Sequence, residues 1–360
     1  MKEANFILQV LMRIIGAGSA FPGNVYEQQA ITSALQEAWQ SQLDNPEVLH
    51  RLHSRCGVER RHLTLPLEAY DRVTSWGQAN DLWIESAQSL GRDAICRAIT
   101  PLGIAPRDID ALFFVSVTGV ASPSIDARLV NRMGLSPNIK RVPMFGLGCV
   151  AGAAGLARAA DYVRAFPDQI AVVLSVELCS LTWQRDDTSV ANMISTGLFG
   201  DGAAAVVVAG RDTDFAGPEI IATKSVFYPG SEDVMGWDIS ETGFHIVLSP
   251  DVPKVIRENL GSDVDCFLAE SWLRRSDIAS WIIHTGGPKV LEAVEDSLDL
   301  PADALQASWE CLRQVGNLSS ASVLLVLQDA LAHRRGKPGT YSVLAAMGPG
   351  FCSELLLLRW

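Results

Sequence analysis

The feature that most constrains the fold is the regular alternation of short apolar runs with longer helix-patterned segments. Six runs read as strands: "ALFFVSVTG" (111–119), "QIAVVLSVEL" (169–178), "GAAAVVVAG" (202–210), "SWIIHTGG" (280–287), "TYSVLAAMG" (340–348) and "SELLLLRW" (353–360). An earlier run, "ILQVLMRIIGAG" (7–18), reads as a first strand. Helical patterns occupy 81–100, 150–165 and 319–334. Strands separated by helices throughout predict an α/β fold.

A second regularity lies on top of the first. "GCVAGAAGLARAADYVRA" (148–165) and "GNLSSASVLLVLQDALAH" (316–333) share a pattern of glycine, polar residue, small residues and amphipathic helix. The same offset of 168 residues (148 to 316) also pairs Phe113 with Trp281, so "FFVSVTG" overlays "WIIHTGG". A duplicated α/β unit explains a shared offset; chance similarity between α/β segments is the alternative. The polar, Gly/Pro-marked stretch at 210–220 then divides an N-terminal half, 1–210, from a C-terminal half, 211–360. On this register Cys149 and Asn317 occupy equivalent turn-to-helix junctions, and His284 ends a strand in the second half. Sites in α/β sheets form at such places.

Composition narrows the function classes. The chain has 360 residues, 48% of them hydrophobic, enough for a large core and about two domains. A net charge of −12 disfavours a general nucleic-acid surface, so an anionic ligand needs a local basic patch. No segment offers ~18 uninterrupted apolar residues, so no membrane span is expected. The N-terminus loosely mimics a signal peptide, but Glu3, Gln9 and Arg13 break the pattern and a strand is the better reading. The seven cysteines show neither CxxC nor a Cys/His metal spacing, which is the usage of a reduced, cytoplasmic protein.

Three residues could carry chemistry. Cys149 lies in "GLGCVAGAAG" (146–155), where glycines permit a sharp turn and a helix start stabilises a thiolate. A small core cysteine is the competing reading. His284, before Gly286 and Gly287, could depress the thiol and donate to a carbonyl, or be a satisfied core histidine. Asn317 could be a simple helix cap or a fixed amide donor for an oxyanion. Together, Cys–His–Asn suits decarboxylative Claisen condensation: the thiol carries an acyl thioester while His and Asn hold an enolate.

From about residue 12 onward the chain resembles the type III polyketide synthases, the chalcone synthase-like family. The resemblance rests on "GLGCVAGAAGL", "LFGDGAAAVVV" (198–208), "HTGGPKVL" (284–291), "GNLSSASVL" (316–324) and the Gly-Pro-Gly-Phe turn at 348–351. It implies a thiolase fold with two similar halves in five layers, αβαβα. It also implies a homodimer, CoA thioester substrates, and neither metal nor other cofactor. Cys149, His284 and Asn317 match the catalytic triad, and Phe199 and Phe244 the two gatekeepers. Thr118, Cys179 and Thr182 match cavity positions, Gly348, Pro349 and Gly350 the substrate-shaping loop, and Arg51 and Arg55 the residues that meet the CoA phosphates.

Departures sharpen the expectation. Ser122 stands where plant members carry a methionine that enters the partner's cavity, and Cys179 where they have threonine. "VELCSLTWQ" resembles bacterial members that take long fatty acyl starters to alkylpyrones or alkylresorcinols. Small residues at 121–124 and 179–180 could open an alkyl tunnel. Bulky Trp237 and Trp281 near the cavity favour a pyrone over an aldol-closed resorcinol. Competing readings are a single-round ketoacyl synthase III-like enzyme served by acyl carrier protein, a degradative thiolase using Cys352, and an inactive scaffold.

Overall fold

The computed structural model describes residues 12–333 and 336–360; the start of the expected first strand, 7–11, lies outside them. Along the first half run β1 (Met12–Ala20), β2 (Asn24–Glu27), α1 (Gln28–Ala38), α2 (Glu47–Ser54), β3 (Arg60–Leu63) and α3 (Trp76–Ile99). Next come β4 (Ala111–Val115), α4 (Ile125–Met133), β5 (Lys140–Met144), α5 (Ala151–Ala165), β6 (Ile170–Leu178), α6 (Val190–Leu198) and β7 (Asp201–Ala209). The second half begins with β8 (Glu219–Phe227), β9 (Met235–Ser240), β10 (Gly243–Leu248), α7 (Val252–Ala269) and β11 (Ile278–Ile283). It ends with α8 (Pro288–Leu298), α9 (Gln306–Val315), α10 (Ser322–Ala332), β12 (Tyr341–Gly348) and β13 (Cys352–Arg359).

Local chemistry sets the boundaries that matter. The Ser75 hydroxyl caps α3 by accepting from the Gln78 amide at 3.3 Å, and Pro101 follows the helix's end. The Ala- and Gly-rich α5 stops at Phe166, ahead of Pro167. β6 and β7 are buried along their whole length, which is why they read as unbroken apolar runs rather than alternating ones.

Nine of the thirteen strands form one sheet in the order β11-β12-β13-β8-β1-β7-β6-β4-β5, while β2 pairs with β3 and β9 with β10 in two small two-stranded sheets. Its two parts repeat one plan. In the first, β4 runs parallel to β6, then β7 and β1 follow antiparallel. In the second, β11 runs parallel to β12, then β13 and β8 follow antiparallel. The parts join at Met12 opposite Ile220 and Arg13 opposite Glu219.

Helices layer on this frame. α3 packs its Trp83, Ala87, Ala94 and Ile95 with Leu174, Val176 and Val207 on one outer face. α7 and α8 pack Leu260, Val264 and Leu291 with Ile283, Val343 and Leu355 on the other. Between the two half-sheets, α5 and α10 share a core with Phe113, Val173, Val206, Leu344 and Leu356. The layers are thus αβαβα, the arrangement of a thiolase fold.

The repeat register differs from the sequence-based one. The turn, the helix and the following strand lie 171 residues apart (148 to 319, 151 to 322, 170 to 341), while β4 and β11 start 167 apart (111 to 278). An offset of 168 therefore comes within one residue of the β4–β11 pair but slips by three at the turn, the helix and the following strand. The counterpart of Cys149 is Ser320, and Asn317 lies three residues upstream, in the approach to that turn. Among the described residues, the second half also has no counterpart of the edge strand β5. In its place, Asn317 makes a single parallel bridge to Phe199.

The two central helix starts touch. A Cβ on Gly152 would sit 2.1 Å from the Ser320 carbonyl oxygen, so only glycine permits this approach. Gly152→Ala would gain up to ~1 kcal/mol in helix propensity. Overpacking against backbone that cannot rotate away typically costs about 1–3 kcal/mol. Urea denaturation should show a net loss of roughly 1–2 kcal/mol; a stabilised variant would contradict this packing.

Candidate active site

Cys149 sits in a single 3₁₀ turn, Gly148–Val150, that feeds directly into α5. Gly148 has φ +52°, and a Cβ there would meet Pro349 at 2.6 Å. A Cβ on Gly348 would meet the Leu147 carbonyl and the Val150 amide, each at 2.7 Å. The Gly-Pro-Gly segment after β12 therefore lies flush on the cysteine's turn, and side chains at either glycine would separate them. Gly350, at φ +129°, lies beside Phe227.

The thiol is 6% exposed and donates to the Ser319 hydroxyl at 3.5 Å. The Asn317 side-chain oxygen accepts from the Ser319 amide at 2.8 Å and the Ser322 hydroxyl at 3.3 Å. That fixes the carboxamide and leaves its N–H₂ facing the thiol. The Asn317 backbone is tied to the end of α6: its N–H donates to the Leu198 carbonyl at 2.9 Å, and the Gly200 N–H donates to its carbonyl at 3.0 Å. Cys149, Asn317 and Phe199 are thus brought together by two backbone turns and one β-bridge.

His284 follows β11, its amide held by the Ala345 carbonyl at 3.0 Å on β12, three residues before Gly348. It is 3% exposed, and its Nδ1 is buried with no hydrogen-bond partner. The loop after it closes on the gatekeeper's helix: a Cβ on Gly287 would lie 3.5 Å from Leu198.

Burial decides the electrostatics. It pushes the Cys149 thiol up to about 12, against the pull of hydrogen bonds from Ser319 and Asn317. It pushes the His284 imidazole down to about 3. The sequence pointed to a thiol depressed by a helix start and an imidazolium. In the resting site desolvation wins, because the packing that clears space for an acyl group also removes water. Both directions favour the uncharged form, the neutral thiol and the neutral imidazole, in the resting site.

Glu177, on β6, lies beneath the thiol. One oxygen accepts from the Ser116 hydroxyl (3.2 Å), the Val117 amide (3.1 Å) and the Thr118 hydroxyl (2.9 Å); the other accepts from Ser320. Burial raises it to about 7. Thr118 also accepts from the Leu178 amide at 2.9 Å, so its hydroxyl serves Glu177 and the backbone, and it does not line the cavity described next.

A cavity of about 530 Å³ opens from Phe199 and Cys179. Ser180, Thr182, Trp183, Trp237, Ile31, Ala34, Leu35, Leu63 and Leu67 also line it, whereas Cys149, His284 and Asn317 do not. Its outer rim carries Glu37, Glu68 and Asp71. Thr182 donates to the Cys179 carbonyl at 2.8 Å, bracing that wall. Phe244 is not on the lining; it is 2% exposed and backs Trp237 with ring centroids 5.8 Å apart. Residues 121–124 do not line the cavity either: Ala121 packs on the first-half core, and Ser122 and Pro123 are exposed. Trp281 is a core residue under β11 and α8, whereas Trp237 does reach the cavity. Arg51 and Arg55 are exposed at the end of α2, and just beyond them a Cβ on Gly57 would approach Pro288 of the histidine loop at 3.1 Å. Cys352 begins β13 and donates to the Pro349 carbonyl at 3.4 Å.

Sequence reading missed Ser319, Glu177 and Arg61. The signal for two of them was present: Glu177 is the one acidic residue in the otherwise apolar run 170–178, and Ser319 follows Asn317 in "GNLSSA".

If His284 accepts the thiol's proton, His284→Gln removes the acceptor. Iodoacetamide labelling of Cys149 at pH 7 should slow by about tenfold or more, with its inflection moved to higher pH. An unchanged pH profile would show that the imidazole plays no part.

Residues 8–212 match the family model "Chalcone and stilbene synthases, N-terminal domain", and residues 219–360 the corresponding C-terminal domain. A 1,3,6,8-tetrahydroxynaphthalene synthase of Streptomyces peucetius subsp. caesius is 47% identical, over 100% of this chain and 96% of that protein. The crystal structure of 1,3,6,8-tetrahydroxynaphthalene synthase from Streptomyces coelicolor A3(2), a bacterial type III polyketide synthase, superposes with TM-score 0.91 at 30% identity, covering 98% of this chain and 99% of that one. That of PKS-I from the brown alga Ectocarpus siliculosus superposes with TM-score 0.90 at 26% identity, again over 98% and 99%. No helix among the described residues is long and apolar enough to cross a membrane. The chain belongs to the chalcone and stilbene synthase family: it is a type III polyketide synthase, an acyltransferase that condenses malonyl-CoA units iteratively.

Proposed function

We propose that the enzyme loads a fatty acyl group from its CoA thioester onto Cys149, extends it with malonyl-CoA and releases an alkylpyrone. Malonyl-CoA loses CO₂ against Phe199. The Asn317 amide and the His284 imidazole hold the resulting enolate oxygen. The enolate carbon attacks the Cys149 thioester, the thiolate leaves, and the lengthened chain returns to Cys149 for another round. Exposed Arg51 and Arg55 beside the histidine loop meet the CoA phosphates. CoA thioesters are the only small-molecule partners in this scheme, with neither metal nor other cofactor, and acyl carrier protein is a second possible source of the starter. The exposed edge strand β5, with Val142 and Phe145, offers the face for a homodimer. The setting we assign is the cytoplasm.

The observation that carries the starter assignment is the cavity. Small Cys179 and Ser180 line it with the gatekeeper Phe199, and aliphatic Ile31, Ala34, Leu35, Leu63 and Leu67 form one part of its wall, alongside polar Arg61, Tyr70, Ser195 and Thr196. Each buried methylene contributes about 0.8 kcal/mol, so such a wall favours a long chain steeply. Trp237 limits the folding space next to Phe199, which favours lactone closure over aldol closure.

A second reading follows from the relative at 47% identity, whose name specifies a tetrahydroxynaphthalene product. In it, malonyl-CoA is both starter and extender. Pure enzyme given malonyl-CoA alone, and malonyl-CoA with acyl-CoAs from acetyl to long-chain, separates the two by mass spectrometry. Alkylpyrones with long starters support the first reading; a hydroxynaphthalene from malonyl-CoA alone, with acyl-CoAs unused, overturns it. Alkylresorcinols would overturn the ring assignment only. Cys179→Phe should cut kcat/KM for the longest starters by about tenfold or more, the worth of roughly two buried methylenes, and spare short ones.

A further inference from the structure

Arg61 is the one arginine among the largest fully buried side chains, at 2% exposure. Burial of a cation is costly unless its hydrogen bonds and a counter-charge compensate. The carboxylate that acts on it through space is Asp201, and that group is itself held by the Thr64 amide at 2.6 Å and the Ser180 amide at 2.8 Å. The guanidinium is committed to two neutral oxygens. Nη1 donates to the Phe199 carbonyl at 2.6 Å, and Nη2 donates to the Gln28 side-chain oxygen at 3.0 Å. Gln28 in turn donates to the Gly197 carbonyl at 2.8 Å.

These bonds converge on one stretch of backbone. Of the carbonyls at the end of α6, Gly197 is taken by Gln28, Leu198 by Asn317 and Phe199 by Arg61. Gly316 keeps the path open for the arginine, and Gly200 lets the backbone after α6 approach Val315. A Cβ on Gly316, at φ +75°, would meet Arg61 at 3.0 Å and the Leu198 carbonyl at 2.7 Å; one on Gly200 would meet the Val315 carbonyl at 2.4 Å. Arg61 also lines the cavity beside Phe199.

We propose that Arg61, braced by Gln28, is a positioning residue that fixes Phe199 against Asn317 and thereby sets the rate of malonyl decarboxylation. The proposal rests on Phe199 being the decarboxylation gate. A charge-assisted bond to a carbonyl is stronger and shorter than a neutral one, so it holds the peptide of Phe199 more firmly than a neutral donor would. Because the guanidinium acts on the backbone of Phe199 and not on the turn of Cys149, its loss should separate two half-reactions that a merely structural defect would lower together.

The test measures both half-reactions in Arg61→Met, Arg61→Lys and Gln28→Leu. Acyl transfer to Cys149 is followed by intact mass after a single addition of acyl-CoA, and decarboxylation by CO₂ release from malonyl-CoA. Arg61→Met should keep the acylation rate within about twofold while kcat for CO₂ release falls by about ten- to a hundredfold, with KM for malonyl-CoA little changed. Arg61→Lys, which keeps one charged donor, should recover part of that loss, and Gln28→Leu should show a smaller one. If Arg61→Met does not fold, the lysine and Gln28 variants carry the test. Unchanged CO₂ release, or acylation and CO₂ release falling in proportion, overturns the proposal. Phe199→Ala separates the two layers: if it leaves CO₂ release intact, the gate reading fails and the positioning role with it. If it slows CO₂ release and none of the three variants does, only the positioning role fails.

Discussion

The site depends on the contact between the starts of α5 and α10, where Gly152 meets the Ser320 carbonyl. Each helix alone is a common α/β element with its N-terminus at a strand end. Brought face to face between two half-sheets, they place the turn of Cys149 against the turn of Ser319. The asymmetry between the halves then does the rest. Where the first half spends a full edge strand before its turn, the second has only the Asn317–Phe199 bridge. A duplicated frame thus carries a nucleophile on one side and an amide donor with its apolar neighbour on the other.

Burial is the second constraint, and it acts on every titratable group in the centre. It raises the Cys149 thiol and Glu177 and lowers His284, so each is pushed toward its uncharged form, Glu177 the least because four hydrogen bonds hold its carboxylate. A condensing enzyme gains from that. Loss of CO₂ removes a charged carboxylate from a dry pocket, and the enolate that follows is met by donors already fixed in place. The carboxamide of Asn317, with its oxygen already occupied, is such a group.

Much of this was legible in the sequence because it rested on contiguous patterns. The strands at 170–178 and 201–209 were visible as unbroken apolar runs, since burial on both faces erases alternation. The glycines around Cys149 were visible because a sharp turn and a close approach both require them. What slipped was relational. The repeat was read three residues out of register, because strand spacing and turn spacing differ between the halves. Residues 121–124 were taken for tunnel wall, yet they are turned to the first-half core and to the surface. Phe244 stands one ring behind the cavity, with Trp237 in front. Arg61 and Gln28 gave no signal, since a buried arginine is recognised only by what it bonds, and its acceptors, the Phe199 carbonyl and the Gln28 side-chain oxygen, lie 138 and 33 residues away.

The central claim is that one thiol, Cys149, carries the chain through repeated malonyl additions. It is tested most directly by quenching the enzyme during turnover with limiting malonyl-CoA and mapping acyl adducts by peptide mass spectrometry. The account predicts a ladder of adducts on the Cys149 peptide: the starter acyl group alone, then the starter lengthened by successive two-carbon ketide units. A starter adduct that never lengthens, or a ladder carried by Cys179 or Cys352 instead, would contradict it.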